Sequence, residues 1–216
     1  MKKTAICFIL LLLMAATPLL AVEKELQGRI GAGYATDPSR FGLDLAFQHT
    51  WKLDPYFVMG PEVGFFWIQW DRKIGTEGVG AARVDVKADT NSYVLPVFMN
   101  AQLRLPVMKK YIYVEPFLTV GLGWGVMILH YSQPSFEDTS QTPNKQYDDE
   151  SITKFFHGFS WQLIFGAAFQ PDGSKVGFLG ELGYRGMKLE YDNTEVDMSG
   201  FMIRLGVRYP FGTSGK

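Results

Sequence analysis

Residues 112–128 read Ile112-Tyr-Val-Glu-Pro-Phe-Leu-Thr-Val-Gly-Leu-Gly-Trp-Gly-Val-Met-Ile128. Every second side chain is apolar: Ile112, Val114, Pro116, Leu118, Val120, Leu122, Trp124, Val126 and Ile128. The intervening set, Tyr113, Glu115, Phe117, Thr119, Gly121, Gly123, Gly125 and Met127, is small, polar or mixed. A period of two is that of a β-strand, whose successive side chains leave opposite faces. Strands of soluble sheets average about five or six residues, and this run is about three times as long.

The same alternation recurs along the chain. Phe41, Leu43, Leu45, Phe47, His49 and Trp51 oppose Gly42, Asp44, Ala46, Gln48 and Thr50. In residues 93–105 a face of Tyr93, Leu95, Val97, Met99, Ala101, Leu103 and Leu105 opposes Asn100, Gln102 and Arg104. In residues 201–211, Phe201, Ile203, Leu205, Val207, Tyr209 and Phe211 oppose Met202, Arg204, Gly206, Arg208 and Pro210. Four further segments, 26–36, 56–70, 155–170 and 176–190, alternate less cleanly but are rich in aromatic residues and glycine, which makes eight strands. In 56–70 the phase slips near Phe65-Phe66-Trp67, a pattern expected of a β-bulge.

The fold class follows from which face is the inside. A soluble β-sandwich buries its apolar face and wets its polar one. Here the polar face is sparse, interleaved with glycine and nearly free of lysine, the usual edge residue. Such a face fits a narrow lumen, with the continuous apolar face turned to lipid, better than it fits the sandwich. The connections are sorted in the same sense. If the first strand starts at the periplasm, 52–55, 106–110 and 171–175 are tight periplasmic turns, and 37–40, 71–91, 132–154 and 191–199 are extracellular, two of them long. The expectation is an all-β, eight-stranded antiparallel up-and-down transmembrane β-barrel over residues 22–211.

Composition agrees. The 216 residues include 23 glycines, and 15% are aromatic, which suits a turn-rich β protein whose surface meets something other than water. No segment after residue 21 approaches the 18 apolar residues of a membrane-spanning helix. With 21 basic and 22 acidic residues there is no global field to collect nucleic acid. The single cysteine, Cys7, excludes a disulfide framework or a cysteine metal cluster. Lys2 and Lys3, an apolar run of about a dozen residues broken by Pro18, and the small exit Ala21 form the pattern of a secretory signal peptide over 1–21. A transmembrane anchor would need about 20 apolar residues. Cleavage leaves 19 basic against 22 acidic residues, about −3, and a short polar tail, 212–216, in the periplasm.

Three stretches carry a resemblance. Tyr93-Val-Leu-Pro-Val-Phe-Met-Asn-Ala-Gln-Leu-Arg-Leu105 and Tyr113-Val-Glu-Pro-Phe-Leu-Thr-Val-Gly-Leu-Gly-Trp-Gly125 resemble consecutive strands of small outer-membrane barrels. Arg204-Leu-Gly-Val-Arg-Tyr-Pro-Phe211 is similar to the C-terminal assembly signal of that family, with Arg204, Gly206, Tyr209 and Phe211 in its positions. The family is the outer-membrane β-barrel domain that includes the OmpA, OmpX, Ail and OmpW groups. The resemblance implies location in the outer membrane of a diderm, Gram-negative-type bacterium. It also implies contact with outer-membrane lipid and lipopolysaccharide, and insertion by the barrel-assembly machinery. In the family the closing aromatic is commonly the last residue, whereas here Gly212 to Lys216 follow Phe211.

An eight-stranded barrel is just wide enough to be filled by its own side chains. The polar phase puts Arg29, Asp44, Gln48, Glu62, Asn100, Gln102, Arg104, Glu115, Gln162, Glu181, Arg185, Arg204 and Arg208 inward, five arginines against four carboxylates. Glu181 and Arg185 lie four apart on one face, with Arg204 and Arg208 facing them from the next strand. Charges so enclosed must be paired. The reading is a structural ionic plug, with a narrow gated conduit or proton path as the alternative.

Other sites have less support. His130-Tyr-Ser132 resembles the His-x-Ser of outer-membrane lipid A deacylases, but Gln133-Pro134-Ser135 follows it where an Asn-Ala-Gly-like run would be expected. No catalytic residue, cofactor or metal ligand is assigned. His49 and His157 are expected in interfacial aromatic belts with Trp51, Tyr56, Trp161 and Phe169. Gly121-Leu-Gly-Trp-Gly125 lies in mid-strand, where glycine makes room in a crowded lumen, and is no phosphate loop. Residues 132–154 carry Glu137, Asp138, Asp148, Asp149 and Glu150 against Lys145 and Lys154, an acidic loop suited to divalent cations bridging lipopolysaccharide or to a host or surface ligand. Solvated loop tips are the simpler reading. The function expected is envelope integrity or surface interaction through the loops, with a narrow OmpW-like channel for small or hydrophobic molecules as the alternative and lipid A acyl hydrolysis as the third.

Overall fold

The computed structural model describes residues 23–78, 83–140 and 143–211. The signal-peptide and tail expectations lie outside those residues, as do 79–82 of the connection expected over 71–91 and 141–142 of that expected over 132–154. The strands are β1 (Glu23–Ala35), β2 (Arg40–Lys52), β3 (Phe57–Glu77), β4 (Val84–Arg104), β5 (Glu115–Gln133), β6 (Phe136–Asp138), β7 (Lys145–Tyr147), β8 (Glu150–Phe169), β9 (Gly177–Tyr191), β10 (Thr194–Asp197) and β11 (Gly200–Phe211). Eight of them close a ring in the order β1-β2-β3-β4-β5-β8-β9-β11, every pair antiparallel, with β11 returning to β1. Closure removes free edges within the ring, while β3 beyond Trp67 and β4 before Asp89 pair only with each other. β10 extends the β9 side of the ring, and β6 and β7 form a separate hairpin.

Burial inverts the order of a soluble protein. Leu205 is 68% exposed while its neighbour Arg204 is 1% exposed. In residues 41–51, 57–67, 93–103 and 201–211 the outward side chains include no Asp, Glu, Lys or Arg. Each window matches the roughly 9–11 residues that a tilted strand needs to cross a bilayer core. Aromatic pairs edge this belt: Tyr34 on Phe41 at 5.2 Å and Tyr184 on Phe201 at 5.2 Å near the long connections, His49 on Trp51 at 5.1 Å near the described chain ends. The chain is a membrane-spanning barrel.

Three sequence expectations change. The strand expected to start at Ile112 starts at Glu115; Pro106–Met108 form a 3-10 turn and Lys109–Ile112 one helical turn, α1. Tyr113 ends α1 in the left-handed region, φ 61°, so the apolar alternation of Ile112 and Val114 runs on through a helical turn. The connection 106–110 is therefore longer than a tight turn. The bulge expected at Phe65-Phe66-Trp67 is absent: β2 and β4 pair through that segment with constant register, and the shift comes between Lys73 and Gly75. Phe66 and Ile68 stay in phase with Glu62, pointing inward, because the lumen itself turns apolar at that height. Finally, Trp51 keeps the outward phase but is only 8% exposed rather than open to lipid.

The end opposite Glu23 and Phe211 is a folded crown. β3 and β4 continue as a two-stranded ribbon beyond the belt, with Lys87 on Asp71 and Lys73 on Asp85, each at 2.6 Å. The β6–β7 hairpin docks on this ribbon: Phe136 lies against Gly75, where a Cβ would fall 2.4 Å from its ring, and the Thr139 amide donates to the Thr76 carbonyl at 2.8 Å. The first connection, with a cis Asp37–Pro38 bond, is tied to the last by amide donation from Thr36 to Ser199 at 2.9 Å and from Asp37 to Asp197 at 2.8 Å.

Candidate functional site: the filled lumen

The inward positions stack in three levels. At the end carrying Glu23 and Phe211, Arg104 donates from Nη1 and Nη2 to both oxygens of Glu25, at 2.9 and 2.6 Å. Arg208 donates to Glu115 at 2.9 Å, and Glu115 lies 3.8 Å from Arg104. Two arginines and two carboxylates make this level neutral. Sequence reasoning missed Glu25 because it began the strand at residue 26; carrying the parity of Arg29 back two steps finds Gln27 and then Glu25, both buried.

The middle level is the hub. Glu62 accepts from Arg29 at 3.0 Å, Arg204 at 3.2 Å, Asn100 at 2.8 Å and Gln162 at 3.1 Å. Glu181 bridges Arg29 at 2.8 Å and Arg204 at 2.9 Å, and Asp44 takes Arg185 at 2.8 Å and Arg204 at 3.5 Å. Register explains the choice of partners: Arg204 stands directly across from Glu181, while Arg185 faces Gly200 and Arg208 faces Gly177. Arg185 and Arg208 therefore reach across to Asp44 and Glu115, and the expected grouping of Glu181, Arg185, Arg204 and Arg208 divides between two levels. Three arginines meet three carboxylates, so the hub too is neutral. With Glu25 the expected five-to-four set becomes five to five.

The upper level is largely apolar, with buried Ser92 and Ser160 on the same inward phase, and was not foreseen. Phe66, Ile68, Val94, Met127, Phe156, Met187, Leu189 and Met198 form one buried cluster under the crown. The ionic pairs occupy only the lower two levels. The signal was present, since Met127 and Met187 share the inward phase, but apolar residues on both faces read as a phase slip. Glycine sets the packing where the expectation placed it: a Cβ on Gly121 would fall 2.2 Å from Asn100 Oδ1 and 2.8 Å from Gln162 Cγ. Beside Asp44, Arg185 and Phe66 a cavity of about 10 Å³ remains, room for about one water.

His130 Nδ1 pairs with Thr153 Oγ1 at 3.1 Å, its cross-strand neighbour, and no bond joins it to Ser132 among the described residues. His49 lies 5.7 Å from Phe211, and His157 stacks on Trp124 at 5.9 Å. Tyr209 points outward beside Phe211, and Gly206 leaves room for Arg29, whose Cγ would lie 2.9 Å from an added Cβ. The acidic loop does not gather into one cluster. Asp138 is 3% exposed and accepts from the Thr76 and Ser140 amides, Glu137 accepts from Asn144, and Asp148, Asp149 and Glu150 are exposed. Among the described residues no group of three or more His, Cys, Asp or Glu side chains is arranged to hold a metal ion.

No protein-family model and no curated protein sequence matches the chain. Solved structures do. The Neisserial surface protein A matches at 12% identity, covering 88% of this chain and 96% of that one, with a TM-score of 0.51. The outer membrane protein OprG from Pseudomonas aeruginosa matches at 12% identity over 89% and 97% of the two chains, with a TM-score of 0.52. At such identity the likeness is one of fold: the chain has the fold of small outer-membrane β-barrel proteins.

Proposed function

We propose that this chain is a plugged outer-membrane barrel that acts through its extracellular crown, serving envelope integrity or surface interaction, and that it catalyses no reaction. The observation that carries this reading is the filling of the lumen at three successive levels by neutral ionic groups and an apolar cluster. A path for solutes would need continuous polar space, and the charges that could line one are consumed by each other. The crown, by contrast, is folded on itself and faces away from the membrane. The β6–β7 hairpin is held to the β3–β4 ribbon, and Phe136 stacks on Tyr147 at 4.9 Å. Lipopolysaccharide and a host or surface ligand are the partners this crown suits. The strand 204–211 is the segment offered to the assembly machinery.

Planar-bilayer recording tests the plug: the purified chain is expected to give no stable unit conductance, and reproducible unit steps would overturn the reading in favour of a channel. Fractionation should place the chain in the outer membrane with a heat-modifiable gel shift. A chain that stays soluble without detergent contradicts the location. Lipid A from cells with wild-type and His130→Ala chains should have the same acyl count by mass spectrometry; a difference would show hydrolysis.

A further inference from the structure

The β4–β5 connection is built unlike the other two at its end of the barrel. It holds α1, and five apolar side chains stand exposed on it, Val107, Met108, Tyr111, Ile112 and Tyr113, with Tyr111 at 73% and Tyr113 at 77%. Ordinary turns do not collect such a patch, and a contiguous exposed patch marks an interaction surface. Lys109 and Lys110 lie within it, and neither forms an ion pair or hydrogen bond through its ammonium among the described residues. Beside them is an open cavity of about 700 Å³ under the lower end of the β5–β8 pair, lined by Pro106, Lys109, Lys110, Tyr113, Phe169 at the end of β8 and Asp172 in the β8–β9 turn.

The patch continues the lipid-facing belt. Leu103, Leu105 and Phe169 are exposed at the bottom of that belt, and the connection begins where they end. A bilayer presents phosphate at this height, just outside the hydrocarbon. Tyrosine rings are favoured there because one end is apolar and the other wet. Unpaired lysines add attraction for anionic headgroups. One carboxylate, Asp172, faces two lysines, so the cavity keeps a net positive charge.

We infer that the β4–β5 connection and the β8–β9 turn form a binding site for the headgroup of an anionic phospholipid, its phosphate on Lys109 and Lys110 and its acyl chains along Leu103, Leu105 and Phe169. The inference rests on the membrane reading above and assigns the site to the periplasmic leaflet. A second copy or a soluble protein would not need the site to be continuous with the belt.

The test uses the full chain folded into nanodiscs of mixed phosphatidylcholine and phosphatidylglycerol, which offer the anionic lipid on both sides and so remove any dependence on orientation. After mild delipidation, native mass spectrometry counts retained lipids. The wild type is expected to retain phosphatidylglycerol in preference to phosphatidylcholine. K109E/K110E should retain roughly tenfold less, while K109R/K110R holds it. Equal retention of the two lipids by the wild type, or unchanged retention in K109E/K110E, overturns the inference; so does a dimer that retains no phosphatidylglycerol. The heat-modifiable shift is read on each sample first. A chain that fails to enter discs at all counts against the barrel reading, which separates that failure from failure of the lipid site.

Discussion

Glu62 accepts hydrogen bonds from four side chains on four strands: Arg29 on β1, Asn100 on β4, Gln162 on β8 and Arg204 on β11. A carboxylate so placed is the counter-charge for a guanidinium that is itself fully enclosed, so its value lies in what its absence would leave. Glu62→Gln keeps the shape but leaves three hub arginines against two carboxylates. Breaking one side of a buried ionic group typically costs about 3–5 kcal/mol. Urea unfolding in lipid vesicles, followed by the gel shift, should show a loss of that size, and a loss under about 1 kcal/mol would mean that the hub is wet rather than sealed. Gly121 makes the complementary case for volume. Gly121→Ala drives a methyl into Asn100 and Gln162 and is expected to cost about 1–3 kcal/mol. Gly28, outward on β1, has nothing within 4 Å of an added Cβ, and Gly28→Ala should be neutral in the same assay.

At the level of elements, the β3–β4 ribbon stands clear of the membrane and is held by exposed pairs. The hydrogen bond from Lys87 holds the Asp71 carboxyl below the usual aspartate range, and the same bond raises the Lys87 ammonium. The lowered carboxyl contributes above the ordinary aspartate value and loses that contribution as pH falls through its own lower value. The raised ammonium contributes below the ordinary lysine value and loses it as pH rises through its own higher one. Across neutral pH the pair is therefore constant, and both residues are exposed enough for salt to weaken it. Carbon NMR titration of Asp71 should give a midpoint below that of a free aspartate, returning upward in Lys87→Met; identical midpoints would show that the bond is not populated in solution. The docking of β6–β7 through Phe136 is a separate matter. Phe136→Ala should make residues around 140 several-fold more sensitive to protease while the heat-modifiable shift stays unchanged. The same elements show what a sequence discloses. β2 and β11 were legible nearly to their ends, because one face is almost wholly apolar and the other carries the lumen's charged and polar groups. The Ile112 boundary was not, because one helical turn can carry on an apolar alternation. In β3, Phe66 and Ile68 face a part of the lumen that is itself apolar, so no contrast between faces marked the phase.

For the molecule as a whole, the inward residues were legible by parity, but their partners were not. Which arginine meets which carboxylate depends on the register between strands far apart in sequence, such as Arg29 with Glu181 or Arg185 with Asp44. That register also places the three levels in series, each neutral by itself. A series arrangement has a consequence that a single constriction would not have: thinning one level leaves two intact. Glu25→Ala with Arg104→Ala, Asp44→Ala with Arg185→Ala, and Phe66→Ala with Met127→Ala each thin one level while keeping it uncharged. The first two remove both partners of a pair, which is milder than removing one. The third creates a cavity costing about 2–5 kcal/mol per side chain. All three chains are expected to pass the heat-modifiable gel test and to remain silent in planar bilayers. Only a chain combining the three changes should give stable unit steps. Steady conductance from any one of the double variants would show that its level alone closes the barrel, and the other two would then be packing rather than barrier.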